Sequence, residues 1–286
     1  MDNLPETRCG NMTFRWGTRT YVMGILNVSP ESFSGDGVVD LDDAMDQAKR
    51  FIDEGADIID VGGESTRPGL APIAVEEEIR RVIPVIERLS KAIEAPVSVD
   101  SSRLEVAELA LMAGAAMLND QWGLKKGPEL AELAAETGVP IVLMSNQRDI
   151  AAYDAAAGRD TAQYEDVMRE VESTLSQSID TALAAGVPRE NIIIDPGIGF
   201  GKTWQQDLEV IRRLAELRKL GRPVLMGTSR KSAIKMVLEL PANDRVEGTA
   251  ATVALSIANG ADIVRVHDVK QMVRVCRMTD AIVRSA

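Results

Sequence analysis

Eight short apolar runs, separated by longer amphipathic segments, are the feature of this 286-residue chain that most limits its fold. Each run is a continuous stretch of mainly aliphatic residues, which is typical of strands buried on both faces of a parallel sheet. The segments between the runs have the apolar spacing of helices, and several end at a glycine such as Gly55 or Gly138. The predicted strands span residues 22–27, 57–63, 96–100, 117–120, 141–145, 192–195, 224–229 and 263–268.

This alternation predicts an α/β fold, a (β/α)8 TIM barrel over residues 21–286, with residues 1–20 as a short N-terminal extension that covers the barrel. A doubly wound open sheet is the alternative, but the dinucleotide motif G-x-G-x-x-G does not follow the first predicted strand. The segment GIGFGKT ends like a phosphate-binding P-loop, yet Pro196 stands at the place of its first glycine. We therefore expect a single barrel domain.

The composition excludes several classes of partner. A net charge of −12 and an aromatic content of 3% disfavour nucleic acid, which needs basic surfaces and stacking platforms. No apolar run approaches the roughly 20 residues that span a bilayer, and the N-terminus lacks the pattern of a signal peptide. Cys9 and Cys276 do not make a disulfide framework. These features predict a cytoplasmic protein that acts on small molecules.

Polar side chains follow all eight predicted strands. A barrel builds its active site from the C-terminal ends of its strands, so we expect these side chains to converge. Each of them has an ordinary alternative role as a helix cap or turn residue, but that alternative does not explain the whole set. The eight ends carry Asn27, Arg67, Asp100, Asn119, Ser145, Asp195, Lys231 and the pair of Arg265 and His267.

Charge divides these side chains into two groups. Asp100, Asn119 and Asp195 suit a heterocycle rich in N–H donors, whereas a cationic rim suits a phosphorylated or carboxylated ligand. His267 is the only histidine and lies two residues after Arg265, so in a strand both point to the same side; a buried core role for His267 is the alternative. The predicted cationic rim comprises Arg67, Lys202, Arg230, Lys231, Arg265 and His267.

Seven motifs resemble those of the dihydropteroate synthase family, in family order and at family spacing over nearly the whole chain. They are MGILNVSPESFS, DVGGESTRPG, VSVDS, LND, DPGIGFGKT, GTSRKS and RVHDV. The resemblance implies a (β/α)8 barrel that condenses 6-hydroxymethyl-7,8-dihydropterin pyrophosphate with 4-aminobenzoate, giving 7,8-dihydropteroate and pyrophosphate. It also implies a homodimer, for which the last two helices offer apolar faces.

The resemblance further implies a role for each site residue. The residues expected to hold the pterin ring are Asp100, Asn119, Asp195 and Lys231, with Met144 packed on the face of the ring. The residues expected to bind the diphosphate are Asn27, Arg265 and His267, with Mg2+ against Asn27. The expected aminobenzoate pocket comprises Phe33, Thr66, Arg67, Pro68, Phe200, Lys231 and Ser232. The chemical step is expected to depend on Asp100, Asp195, Lys231, Arg265 and His267.

Four positions depart from the family pattern. Ser145 replaces the histidine of Leu-Met-His, Gln121 and Trp122 follow the pterin-site asparagine, the first loop reads SFSGDG, and Ala233 replaces a larger apolar residue. Two interpretations stay open at this point. The aminobenzoate pocket is remodelled and the enzyme is insensitive to sulfonamides, as in antibiotic resistance, or the changes are neutral drift.

Two other functions also stay open. Corrinoid methyltransferases bind a pterin in the same kind of barrel, but they need no diphosphate clamp. A catalytically silent homologue would bind a pterin without turnover, and only pyrophosphate release separates it from a synthase.

Overall fold

A computed structural model describes residues 4–29, 37–38, 40–65, 70–154 and 162–284. Within them a small antiparallel hairpin precedes eight parallel strands that alternate with helices. The hairpin strands are β1 (Thr7–Cys9) and β2 (Met12–Phe14). The parallel strands are β3 (Tyr21–Asn27), β4 (Ile58–Gly62), β5 (Val97–Asp100), β6 (Met117–Asp120), β7 (Ile141–Met144), β8 (Ile192–Asp195), β9 (Leu225–Met226) and β10 (Ile263–Val266).

Each parallel strand pairs with the next one along the chain from β3 to β8, and β10 pairs with both β9 and β3. The last gap, between β8 and β9, is closed by a parallel bridge between Ile194 and Val224, where the Ile194 N–H donates to the Pro223 carbonyl at 3.0 Å. The sheet therefore returns on itself. The predicted barrel is confirmed, and the open doubly wound alternative is wrong.

Helices fill the connections between the strands. They are α1 (Leu41–Asp53), α2 (Val75–Ala92), α3 (Leu104–Met112), α4 (Glu129–Thr137), α5 (Ile150–Asp154), α6 (Val167–Ala184), α7 (Trp204–Arg213), α8 (Ser232–Leu238), α9 (Val246–Ala258) and α10 (Val269–Val283). The Asp40 side chain caps α1 by accepting from the N–H groups of Asp42 and Asp43. Gly138 ends α4 in the left-handed conformation, with φ of 71°. Among the described residues, no helix has the length and apolar character needed to cross a membrane.

Strand β9 differs from its prediction, because residues 227–229 were expected to belong to it and do not. The chain leaves the sheet after Met226 and turns at Arg230, whose φ is 57°. Arg245 holds this turn by donating from Nη1 to the Arg230 carbonyl at 2.7 Å. The turn brings Ser229 and Lys231 to the mouth of the barrel.

The N-terminal hairpin packs against the start of the barrel strands. Phe14 is fully buried, and its ring lies 4.8 Å from that of Tyr21 in an edge-to-face contact. Trp16 donates from its indole nitrogen to Thr7 Oγ1 at 3.0 Å. Strand residues that share this cluster include Met23, Ile58, Met117, Val142, Ile193, Leu225 and Ile263. The hairpin thereby closes the N-terminal end of the barrel and leaves the opposite end open.

Candidate active site

The open end of the barrel holds one pocket that gathers residues from most of the strand ends. Six residues predicted from the sequence line it: Asn27, Asp100, Phe200, Lys231, Arg265 and His267. Three more, Asn119, Met144 and Asp195, are buried in the barrel at the ends of β6, β7 and β8. Ser232 is half-buried and begins α8. Phe33, Thr66, Arg67 and Pro68 lie outside the described residues.

Sheet register places Asp100 beside Asn119 on one side and Gly62 on the other. A Cβ atom at residue 62 would stand 3.4 Å from Asp100 Oδ2, an ordinary van der Waals distance, so the Asp100 carboxylate lies directly beside the end of β4.

A buried ion network crosses the barrel below the pocket. The guanidinium of Arg265 donates from Nε to Asp60 Oδ2 and from Nη2 to Asp100 Oδ2, each at 2.6 Å. Asn119 Nδ2 donates to the same Asp60 oxygen at 3.0 Å. Asp60 is completely buried. The network joins β4, β5, β6 and β10, so Arg265 lies deeper than a residue of a surface rim.

Asp60 is a site residue that the pattern of polar strand ends does not predict. It lies in the middle of strand β4 and not at its end. A charged residue inside an otherwise apolar run was the available signal, because buried carboxylates in proteins are usually paired.

The network changes the protonation chemistry of its members. Burial raises the pKa of Asp100 to about 7, although Arg265 opposes the shift and Asp60 adds to it. Burial alone would lower the pKa of Arg265, but the charges of Asp60 and Asp100 outweigh it and raise the pKa. Arg265 therefore stays charged, while Asp100 can hold or release a proton near neutral pH.

Lys231 lines the pocket, and Asp195 is buried at the end of β8. Lys231 Nζ lies 4.3 Å from the centre of the Phe200 ring, a cation–π contact. Desolvation and the charge of Arg265 together lower the pKa of Lys231 to about 8, against the attraction of Asp195. Burial raises the pKa of Asp195, whose Oδ1 accepts from the Gly197 N–H at 2.7 Å. The pKa of the lysine is therefore lowered and that of the carboxylate is raised, both because the groups are buried.

Glycine at position 199 favours this arrangement. Its φ is 84°, a conformation that side chains disfavour, and an added Cβ would lie 3.2 Å from Lys231 Cδ. Any other residue here would strain the backbone and push against the Lys231 side chain.

His267 follows β10 and lies beside Ser229 of the β9 turn. Its Nδ1 is 2.9 Å from Ser229 Oγ, and its backbone N–H donates to the same oxygen at 3.2 Å. These two contacts fix the imidazole in the pocket wall. As expected from their spacing, Arg265 and His267 line the same pocket.

Two members of the predicted cationic rim have structural roles instead. Lys202 is buried, and its Nζ donates to the carbonyls of Gly197 at 2.7 Å and of Pro196 and Phe200 at 3.2 Å. Arg230 pairs with Asp268 through two hydrogen bonds, the shorter from Nη2 at 2.7 Å. The prediction of a rim position was wrong for both, because Lys202 donates to buried loop carbonyls and Arg230 is paired with Asp268.

The residues that depart from the family pattern differ in whether they line the pocket. Ser145 and Ala233 are buried and do not line the pocket, and Ser145 Oγ accepts from Gln147 Nε2 at 2.9 Å. Trp122 is buried as well, whereas Gln121 faces the pocket. The displaced aspartate of the first loop lies outside the described residues.

Comparison with known proteins agrees with this geometry. Residues 23–267 match the family described as pterin binding enzymes. The chain is 51% identical over 264 residues to a dihydropteroate synthase of Bacillus subtilis, covering 92% of this chain and 88% of the relative.

Two solved structures are similar to the whole barrel. A dihydropteroate synthase of Clostridium difficile, determined in the presence of pteroic acid, has a TM-score of 0.86 and 47% identity, covering 95% of this chain and 100% of that one. A dihydropteroate synthase of Xanthomonas albilineans with 4-aminobenzoic acid has a TM-score of 0.87 and 38% identity, covering 97% and 98%. The chain therefore belongs to the dihydropteroate synthase family, the pterin-binding transferases of folate biosynthesis.

Proposed function

We propose that the protein condenses 6-hydroxymethyl-7,8-dihydropterin pyrophosphate with 4-aminobenzoate and releases pyrophosphate and 7,8-dihydropteroate. The observation that carries this proposal is the single pocket in which Asp100 lies beside Arg265, His267 and Lys231. Acidic groups for a heterocycle and cationic groups for an anion meet there. The relatives crystallised with pteroic acid and with 4-aminobenzoic acid support the same substrates.

The acidic part of the pocket would hold the pterin ring. Asp100, Asn119 and Asp195 offer carboxylate and amide groups that can pair with the ring's N–H groups and nitrogen atoms. Met144 ends β7 beside Asp195 in the sheet register, which suits packing against a flat ring. Burial of these groups makes each hydrogen bond to the ring strong, since little water competes.

Asn27, Arg265 and His267 would bind the diphosphate. Arg265 already contacts two carboxylates, so the diphosphate must compete with Asp60 and Asp100 for its guanidinium or use its remaining N–H groups. His267 is held beside Ser229 in the pocket wall, where its imidazole would contact the diphosphate.

The donor set also fits Mg2+, which usually keeps several waters and takes one or two protein oxygens together with substrate phosphates. Asn27 is half-buried at the end of β3 and supplies such an oxygen. Among the described residues, no group of three or more His, Cys, Asp or Glu side chains could hold a metal alone. When bound to the diphosphate, Mg2+ would neutralise negative charge on the leaving group.

The chemical step is a substitution at the pterin methylene carbon. The C–O bond to pyrophosphate breaks with both electrons leaving on oxygen, and the amine nitrogen of 4-aminobenzoate forms the new C–N bond and then loses a proton. Arg265 and His267 stabilise the growing negative charge, and ionised Asp100 and Asp195 stabilise positive charge on the ring and methylene. Phe200, Lys231 and Ser232 would orient the aminobenzoate, and no covalent intermediate with the protein is required.

Pyrophosphate release tests this proposal. Purified protein is given the pterin pyrophosphate and Mg2+, with and without 4-aminobenzoate. Release that depends on the amine supports the synthase, and absence of release with the pterin still bound supports the silent homologue.

The same assay with sulfamethoxazole tests drug sensitivity. Since Ser145 and Ala233 do not line the part of the pocket that the structure describes, we propose that the enzyme is inhibited rather than resistant.

The oligomeric state and the cellular location of the protein stay predictions. For the oligomeric state, the structure offers an apolar surface that two chains can share. Leu255 of α9 and Met278 and Ile282 of α10 are 58%, 63% and 67% exposed. We propose that these helices meet in a homodimer in the cytoplasm. Light scattering should give twice the mass of the 286-residue chain, and Met278→Glu should shift the mass toward one chain.

A further inference from the structure

Gln121 occupies a rigid position at the edge of the pocket. It directly follows β6, in a turn that the Asp120 side chain holds by accepting from the N–H groups of Trp122 at 2.9 Å and Leu124 at 2.6 Å. Asn146 Nδ2 donates to the Gln121 carbonyl at 3.0 Å from the neighbouring β7 loop. The backbone is therefore fixed from two sides, and the side chain lies in the pocket wall with Asp100 and Arg265.

The side-chain amide of Gln121 has a hydrogen-bond partner for its nitrogen but none for its oxygen among the described residues. Its Nε2 donates a short hydrogen bond to Asp100 Oδ1, the oxygen that Arg265 does not contact. Its Oε1 is buried and has no hydrogen-bond partner among the described residues. A buried carbonyl without a donor costs stability, and native proteins rarely keep one without a reason.

Packing alone does not account for this side chain. An apolar residue of similar length would fill the same space without burying an unpaired oxygen. The unmet acceptor belongs to the same planar amide that contacts Asp100, so a carboxylate and an amide oxygen stand close together. Two neighbouring acceptors in a pocket fit a ligand edge that carries two N–H donors.

We propose that Gln121 is a specificity-determining and positioning residue for the pterin: Nε2 orients the Asp100 carboxylate, and Oε1 accepts an N–H group of the bound ring. This inference rests on the proposed function, because it assigns the ring to the pocket beside Asp100. It adds a contact that the motif-based site lacks, since Gln121 is one of the departures from the family pattern.

Gln121→Met tests the inference, because Met has similar length and volume and neither donates nor accepts in this way. We expect its affinity for the pterin pyrophosphate, measured by calorimetry without aminobenzoate, to fall at least tenfold. The KM for the pterin substrate should rise similarly, while the KM for 4-aminobenzoate changes less than twofold.

The pH dependence of kcat/KM distinguishes a positioning role of Gln121 from a role in packing alone. The hydrogen bond from Gln121 lowers the pKa of Asp100, so its loss should move the acid limb of kcat/KM for the pterin substrate to higher pH. Gln121→Glu keeps acceptor oxygens but adds a negative charge, and it should move the limb in the same direction. Among the described residues, the other charged groups that act most on the pKa of Asp100 are Arg265 of β10, Asp60 of β4 and Glu78 of α2, and Glu64 and Lys231 line the same pocket; both variants retain all five.

Gln147→Met is the matched control. Gln147 is also half-buried and follows the neighbouring strand, but its Nε2 donates to Ser145 Oγ at 2.9 Å and Thr174 Oγ1 at 2.8 Å, away from the pocket. It should keep wild-type pterin affinity and pH profile. If Gln121→Met binds the pterin substrate as tightly as Gln147→Met does, the inference is wrong. If wild-type protein releases no pyrophosphate, the proposed function itself has failed.

Discussion

Asp60→Asn isolates the charge of the carboxylate at the centre of the ion network. An asparagine oxygen can still accept from Arg265 Nε and Asn119 Nδ2, the partners of Asp60 Oδ2 at 2.6 and 3.0 Å. The variant keeps the shape of the side chain, but Arg265 loses one of its two negatively charged partners. The new amide nitrogen takes the position of Asp60 Oδ1, an atom that has no hydrogen-bond partner among the described residues.

Removing one partner of a buried ion pair costs about 3 to 5 kcal/mol. Asp100 still contacts Arg265 at 2.6 Å, so we expect the lower end, a loss of about 3 kcal/mol in the free energy of unfolding at pH 8. Urea unfolding followed by tryptophan fluorescence measures it.

Asp42→Asn provides the control. Asp42 pairs with Arg88 at 2.5 Å, but the two side chains are 77% and 51% exposed, so the variant should lose less than about 1 kcal/mol. If Asp60→Asn also loses less than about 1 kcal/mol, Arg265 does not depend on Asp60 and our description of the network is wrong.

Three further predictions follow from the site. Asp195→Asn should lower turnover about 100-fold with circular dichroism unchanged, and near wild-type activity would contradict the pterin assignment. Lys202→Met removes the donor to three carbonyls of the loop that carries Phe200, so the free energy of unfolding should fall by about 2 to 3 kcal/mol in urea, and no loss would refute that role. Because the pKa of Asp100 is about 7 when folded, the folded chain keeps a proton there that the unfolded chain has lost, so this group's contribution to stability falls as pH rises from about 4 to 7. Asp100→Asn should flatten the pH dependence of the urea midpoint in that window, and an unchanged slope would exclude the shift.

The barrel was predictable because buried parallel strands leave a local trace, a run of apolar residues between helical patterns. The convergence of Asp100, Arg265 and His267 on one pocket followed from the same pattern, since all three stand at strand ends. Asp60 could not be assigned in this way, because its role depends on Arg265, which lies 205 residues further along the chain.

The wrong predictions for Lys202, Arg230 and strand β9 also concern contacts that the sequence pattern does not show. Arg230 pairs with Asp268, which lies 38 residues further along the chain. Lys202 donates to the carbonyls of Pro196, Gly197 and Phe200, which are near it in sequence but face it only because of the conformation of their loop. The chain leaves β9 early for a turn at Arg230, whose carbonyl accepts from Arg245, 15 residues further along the chain. Local pattern therefore predicts where the strands lie along the chain, and not which polar groups neutralise one another.

The most direct test of the central claim is the stoichiometry of the reaction. Purified protein with the pterin pyrophosphate, Mg2+ and isotope-labelled 4-aminobenzoate is sampled over time for pyrophosphate and for labelled 7,8-dihydropteroate by mass spectrometry. We predict that both appear together in equal amounts and that neither appears without the amine. Pyrophosphate without the labelled product, or neither compound while the pterin substrate stays bound, would contradict the assignment of this barrel as a dihydropteroate synthase.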